Sequence, residues 1–297
     1  MSFSSEVKTE LLNIESSPCC KLAQSYALLL FGRAFSDSEF SILTENSAIA
    51  DAYCDAVEFL SGFSVSSQDT NGGKHKVFID DKKIINAAFE RLGLDNVKTG
   101  RRINFANFQN PCCISAFIRG AFLACGTVTD PEKEYHLEFS VSTKGLSEDL
   151  VKLFDEYEPV PKITLRSGAY TVYFKNSTDI EDVLTIIGAT ENSLQFMGTK
   201  MLKDIRNTIN RKVNFENANL ARTVAAATKQ YNAIAFIKEK AGFDSLPPEL
   251  REIAKLRYED RELSNSEIAK MLPESISVSG VNHRFKRLLK IAEDLKK

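Results

Sequence analysis

The sequence predicts an α+β fold in which an αββαββα unit occurs twice and is followed by an all-α domain. Three features lead there. Residues 17–36 and 110–129 repeat one another at a spacing of 93, stretches with the two-residue period of strands follow each copy, and residues 243–297 carry helical periodicity alone. The implied boundaries are 1–96 and 97–191 for the two repeats, 192–242 for a helical linker and 243–297 for the last domain.

Each repeat opens on an apolar helix with small residues and a vicinal cysteine pair, "SPCCKLAQSYALLLFGRAF" and "NPCCISAFIRGAFLACGTV". Five of twenty aligned positions are identical (Pro18/Pro111, Cys19/Cys112, Cys20/Cys113, Ala23/Ala116, Leu30/Leu123), where chance gives about one. In the first copy a strand follows in "SEFSILTEN", then a helix in "SAIADAYCDAVEFLSGF". A hairpin turns at Asn71-Gly72-Gly73, and the amphipathic helix "DKKIINAAFERLGL" closes the unit. The second copy matches it with strand "YHLEFSVST", helix "EDLVKLFDEY", a hairpin turning at Ser167-Gly168 and helix "DIEDVLTIIGA". Gly93 and Gly188 stay in register, 95 apart, and each copy has room for one more strand beside its first.

Composition bounds the function classes. Hydrophobic content of 43% with 26% charged residues is that of a globular protein. No basic-then-apolar leader and no membrane-spanning apolar run occurs, so a cytoplasmic, nucleoid-associated location without membrane insertion is expected. Six cysteines with no CxxC spacing read as small buried side chains, with a four-cysteine metal site formed by the two vicinal pairs as the lesser alternative, so neither a metal nor any other cofactor is expected. His75 and His136 lack partners at ligand spacing and read as solvated or hydrogen-bonded; "NGGK" is a turn and not a phosphate loop. No hydrolase motif or small-molecule substrate site stands out. Net charge is −2 overall, but residues 201–297 carry +6 and residues 1–200 carry −8, which directs the search for a nucleic-acid partner to the basic end.

The doubled unit with its helix of small residues resembles the LAGLIDADG homing endonuclease fold. In that family the helix motif ends in an acid followed by glycine, and two such acids hold divalent ions over the scissile phosphates. The acid positions here are Gly32 and Cys125, neither of which offers the oxygen that Mg2+ requires, so the resemblance implies a scaffold with no catalytic residue. Asp37 and Asp130, five positions on, read as turn or strand-entry acids. An active endonuclease or intron RNA maturase with relocated acids is the alternative. A basic sheet face around Lys74, Lys162, Arg166 and Lys175 offers a further contact surface for DNA.

In the linker, Arg206, Asn207, Asn210 and Arg211 read as solvated, and "NANLARTVAAATKQYNAIAFIKEKAG" as a long helix with an asparagine cap. Beyond it, Pro247 and Pro248 start a helix with Leu250, Ile253, Ala254 and Leu256 inward. A capping box, Ser264 with Glu267, precedes a short second helix, and after "PESISVS" a third is capped by Ser279 and faces inward with Val281, Phe285, Leu288, Ala292 and Leu295. This pattern resembles the helix-turn-helix of sigma-factor region 4. Ser279, Asn282, His283, Arg284, Lys286, Arg287 and Lys290 are its DNA-binding residues on this reading: Asn282, His283 and Lys286 toward base edges, Arg284, Arg287 and Lys290 toward phosphates.

The ordered series "SFSSEVKTELLNIE", "FIRGAFLACGTVTDPEKEYHLEF", "VNFENANLARTV" and "LREIAKLR" extends the resemblance over nearly the whole chain. It is similar to the WhiA family of bacterial regulators. That resemblance implies a non-enzymatic protein with double-stranded DNA as partner, acting in cell division and chromosome segregation as a transcriptional regulator of division or sporulation genes, together with other regulators or division proteins.

Overall fold

The computed structural model describes residues 2–70, 72–94, 101–166, 168–274 and 276–296. They form two compact units, Met1–Asp204 and Ile205–Lys297.

The first unit begins with a helix, α1 (Phe3–Leu12), whose residues Phe3, Val7 and Leu11 recur every fourth position and are buried. The two repeats follow as α2 (Pro18–Leu30), β1 (Ala34–Phe35), β2 (Phe40–Thr44), α3 (Ser47–Ser61), β3 (Gln68–Asp69), β4 (His75–Ile79), α4 (Lys82–Arg91), and α5 (Pro111–Cys125), β5 (Gly126–Val128), β6 (Leu137–Val141), α6 (Lys144–Lys152), β7 (Lys162–Arg166), β8 (Ala169–Phe174), α7 (Ser177–Ile187). Both sheets are antiparallel and share one strand order, β1-β2-β4-β3 and β5-β6-β8-β7, so the additional strand sits beside the first in each copy. Alternation along β6 buries Leu137, Phe139 and Val141 and leaves Glu138 and Ser140 on the other face.

The opening helices α2 and α5 pack side by side. A Cβ on Gly120 would lie 2.3 Å from the Gln24 carbonyl oxygen and 2.9 Å from the Ala27 Cβ, so the backbones meet where the sequence is smallest. The core around this pair is rich in phenylalanine. Phe117 packs edge-on against Tyr26, Phe31 and Phe108, and Phe35 stacks on Phe40.

Three local expectations are corrected. The helix expected at 148–157 runs instead from Lys144 to Lys152, because Thr143 caps it at the Leu146 amide and the acidic run Asp155–Glu158 before Pro159 ends it. The linker's asparagine cap is absent: α8 (Thr190–Lys240) is one 51-residue helix, with no proline between its ends to stop it. Its start is capped from outside by the Glu10 carboxylate, which accepts from the amides of Glu191 (2.7 Å) and Asn192 (3.0 Å). Of the hairpin glycines, Gly73 (φ 68°) and Gly168 (φ 84°) are left-handed and Gly72 is not; Asn71 and Ser167 lie outside the described residues.

The second unit takes the end of α8, with Ile234 and Ile237 buried, and adds α9 (Pro248–Glu259), α10 (Asn265–Met271) and α11 (Val278–Asp294). Leu250, Ile253, Ile268, Val281, Phe285, Leu288 and Ala292 complete a separate apolar core.

Candidate nucleic-acid interface

Helix α11 is amphipathic by construction. Val281, Phe285, Leu288 and Ala292 fall on one side and are buried, while Leu295 follows the last turn and is 42% exposed, so the inner face has four members and not the expected five. On the opposite side Ser279, His283, Lys286 and Lys290, spaced by four, three and four residues, form an exposed stripe. The cap is Ser277, whose Oγ accepts from the Gly280 amide at 3.2 Å; Ser279 therefore sits inside the first turn, and Val278 and Ser279 belong to the helix, not to the turn before it. Serine two positions earlier wins because its extended backbone (φ −72°, ψ 158°) carries the oxygen back over the free amides.

The flanks of the stripe are held by neighbours. The Asn282 Oδ1 accepts from Asn265 Nδ2 at 2.7 Å, and the Asn265 Oδ1 in turn accepts from Arg257 Nη2 at 2.9 Å. Arg257 is 1% exposed, donates also to Gln230 Oε1 and to the carbonyls of Arg261 and Leu263, and lies over the Phe285 ring. A buried arginine thus fixes the turn before α10 and, through one amide, the side chain of Asn282. On the other flank Arg284 donates to Glu274 Oε2 at 3.1 Å and Arg287 to Glu249 Oε1 at 2.7 Å. The capping box of α10 is complete in both directions between Ser264 and Glu267, and the hydrogen bonds from Ser264 hold the Glu267 carboxyl below the usual range.

The acid positions of the doubled scaffold lie in the first unit, and its residues do not fit a hard divalent ion. A Cβ on Gly32 would stand 2.8 Å from the Ser41 carbonyl oxygen and 3.3 Å from the Tyr53 ring, so position 32 has no room for a carboxylate. At the other position burial pushes the Cys125 thiol up to about 12, which keeps it neutral. Lys8 from α1 lies beside it and donates to the Leu123 carbonyl at 3.2 Å, adding positive charge where a metal centre needs negative. Asp37 and Asp130 lie in the turns after β1 and β5, where Asp130 Oδ1 accepts from the Glu132 amide at 2.9 Å. Both histidines of this unit are hydrogen-bonded, His75 to Asp69 (2.6 Å) and His136 to Glu138 (2.8 Å).

On the open face of the second sheet, Lys162 and Arg166 project from β7 on the same side as Tyr173, and Lys175 lies 5.6 Å from the Tyr173 ring centre. Lys74, by the other sheet, pairs with Glu45 at 3.4 Å. Arg206, Asn207, Asn210 and Arg211 are exposed on α8.

The reading of the cysteines as buried side chains holds for Cys54 and Cys113 only: Cys112 is exposed, and Cys19, Cys20 and Cys125 are partly so. Sequence reasoning also missed Lys8, Arg257 and Asn265. The four-residue recurrence of Phe3, Val7 and Leu11 was a signal for the helix that carries Lys8; nothing local marks Arg257 as buried, since its four neighbours come from three segments.

Residues 114–206 match the family described as the WhiA LAGLIDADG-like domain, and residues 209–292 the WhiA C-terminal HTH domain. The chain is 35% identical over 318 residues to the probable cell division protein WhiA of Caldicellulosiruptor saccharolyticus, covering 100% of this chain and 96% of that protein. It is 36% identical over 314 residues to the protein of the same description from Oceanobacillus iheyensis, covering 100% and 98%. The crystal structure of full-length DUF199/WhiA from Thermatoga maritima superposes with a TM-score of 0.61 at 23% identity over 99% of each chain, a likeness of fold.

Proposed function

The chain belongs to the WhiA family, and from that membership we propose that it is a non-enzymatic DNA-binding regulator acting in cell division and chromosome segregation, through transcription of division or sporulation genes. Its partner is double-stranded DNA, which associates it with the nucleoid, and α11 is the element that enters the major groove. Asn282, His283 and Lys286, with Ser279 at the helix start, meet base edges; Arg284, Arg287 and Lys290 meet phosphates. The repeats, which lack the acids of the helix motif at positions 32 and 125 and carry most of the negative charge, act as the scaffold on which other regulators or division proteins assemble. Domain limits of 1–96, 97–191, 192–242 and 243–297 describe this division of labour.

The observation that carries this reading is the exposed stripe of Ser279, His283, Lys286 and Lys290, backed by a closed apolar core and braced at Asn282 through Asn265 and Arg257. Salt-dependent DNA binding tests it. Replacing Arg284 and Arg287 with alanine weakens binding to all sequences and flattens the log–log salt slope by up to about 1.8, the release of two phosphate contacts. A slope equal to that of the wild type removes these arginines from the interface. Because Glu249 competes with phosphate for Arg287, Glu249→Gln raises affinity in the same assay.

A further inference from the structure

Cys19 and Cys20 follow Pro18 in the first turn of α2, and Cys112 and Cys113 follow Pro111 in the first turn of α5. The two helices start at the same end of their pair, so the duplication brings the cysteines of both copies together: the Sγ atoms of Cys19, Cys20 and Cys112 all lie within 4.8 Å of one another. The acid positions 32 and 125 are at the other end of the helices, about 18 Å away at 1.5 Å per residue.

We propose that Cys19, Cys20 and Cys112 form a binding site for one thiophilic cation of the zinc class, which joins the first repeat to the second.

The geometry suits such an ion. Zinc–thiolate bonds of about 2.3 Å in a tetrahedral arrangement separate the sulfurs by about 3.8 Å, within reach of this cluster through small side-chain rotations. Hard cations such as Mg2+ are not served by three sulfurs, whereas zinc is. The sulfurs are also supported from outside the cluster. Ser17 Oγ lies 3.3 Å and Asn110 Nδ2 3.5 Å from the Cys19 Sγ, while the Cys20 Sγ lies 3.5 Å from the Cys112 carbonyl oxygen. The cysteines lie in the first turns of two helices, whose positive ends favour thiolate. Exposure points the same way: Cys112 is exposed and Cys19 and Cys20 partly so, which leaves an entry path and a fourth position open to solvent.

The test uses the full-length protein, reduced and stripped with a chelator, titrated with Co2+ as a spectroscopic stand-in for Zn2+. Thiolate-to-cobalt charge-transfer absorption saturating at one ion per chain is expected, lost in Cys20→Ser/Cys112→Ser and retained in Cys54→Ser and Cys125→Ser. In parallel, Zn2+ protects Cys19, Cys20 and Cys112 of the wild type from alkylation by N-ethylmaleimide, mapped by mass spectrometry, a readout independent of how the variants fold. Absence of the absorption in the reduced wild type overturns the proposal, as does its persistence in the double variant. A disulfide joining the two repeats, with no metal uptake after its reduction, overturns it as well.

Discussion

Asp149 shows how much one residue can carry. Its carboxylate is 2% exposed and receives Arg102 at both oxygens, Nη2 at 2.7 Å and Nε at 2.5 Å, with the Ile103 amide at 3.2 Å. Burial by itself raises its pKa, but Arg102 and the amide outweigh that and hold it below the usual carboxylate range. Removing the arginine leaves the carboxylate with only the Ile103 amide and Lys152 Nζ, 3.5 Å away, so Arg102→Ala lowers the midpoint of the first unit in urea unfolding. A depressed folded pKa contributes stability that is present above the unfolded value, about 3.9, and is lost as pH falls through the folded one. Midpoints measured from pH 7 down to pH 2.5 therefore fall more steeply in the wild type than in Asp149→Asn; parallel curves sink this account. The same scale decides the nuclease question, since Gly32→Asp must push a side chain into the Ser41 carbonyl. That variant loses about 2 kcal/mol, and with Mg2+ neither it nor the wild type nicks supercoiled plasmid.

Among the elements, α2 and α5 are set by their smallest residues, and two glycines give opposite predictions. Gly120→Ala forces a methyl against the Gln24 carbonyl and costs about 1–3 kcal/mol. Gly198, within α8, has open space where its Cβ would be, so Gly198→Ala raises stability by about 0.5–1 kcal/mol through backbone entropy and helix propensity. Denaturant midpoints that move in the same direction for both contradict the packing argument. The length of α8 follows from what it lacks, a proline, and from the Glu10 carboxylate at its start. In α11 the choice of Ser277 over Ser279 as cap moves the helix start by two residues, and with it the register of the side chains offered to DNA.

For the molecule as a whole, two separate apolar cores give two cooperative units, one centred on the helix pair of the repeats and one on Phe285 and its neighbours. Phe285→Ala lowers the transition of the second unit by about 3–4 kcal/mol and leaves that of the first in place, as calorimetry of the full chain can resolve. The duplication, the strand complement of each copy, the three closing helices and the loss of the nuclease acids were all legible in the sequence. Each is fixed by local chemistry: period two or period 3.6, a capping serine, a glycine or a thiol where a carboxylate belongs. Tertiary structure alone decided that Lys8 stands beside Cys125, that Arg257 is buried against four partners, that Glu249 and Glu274 engage the arginines of α11, and that cysteines 92 or more residues apart converge. Those facts depend on which faces of distant elements come into contact, and no pattern along the chain encodes a neighbour that arrives only when the cores close.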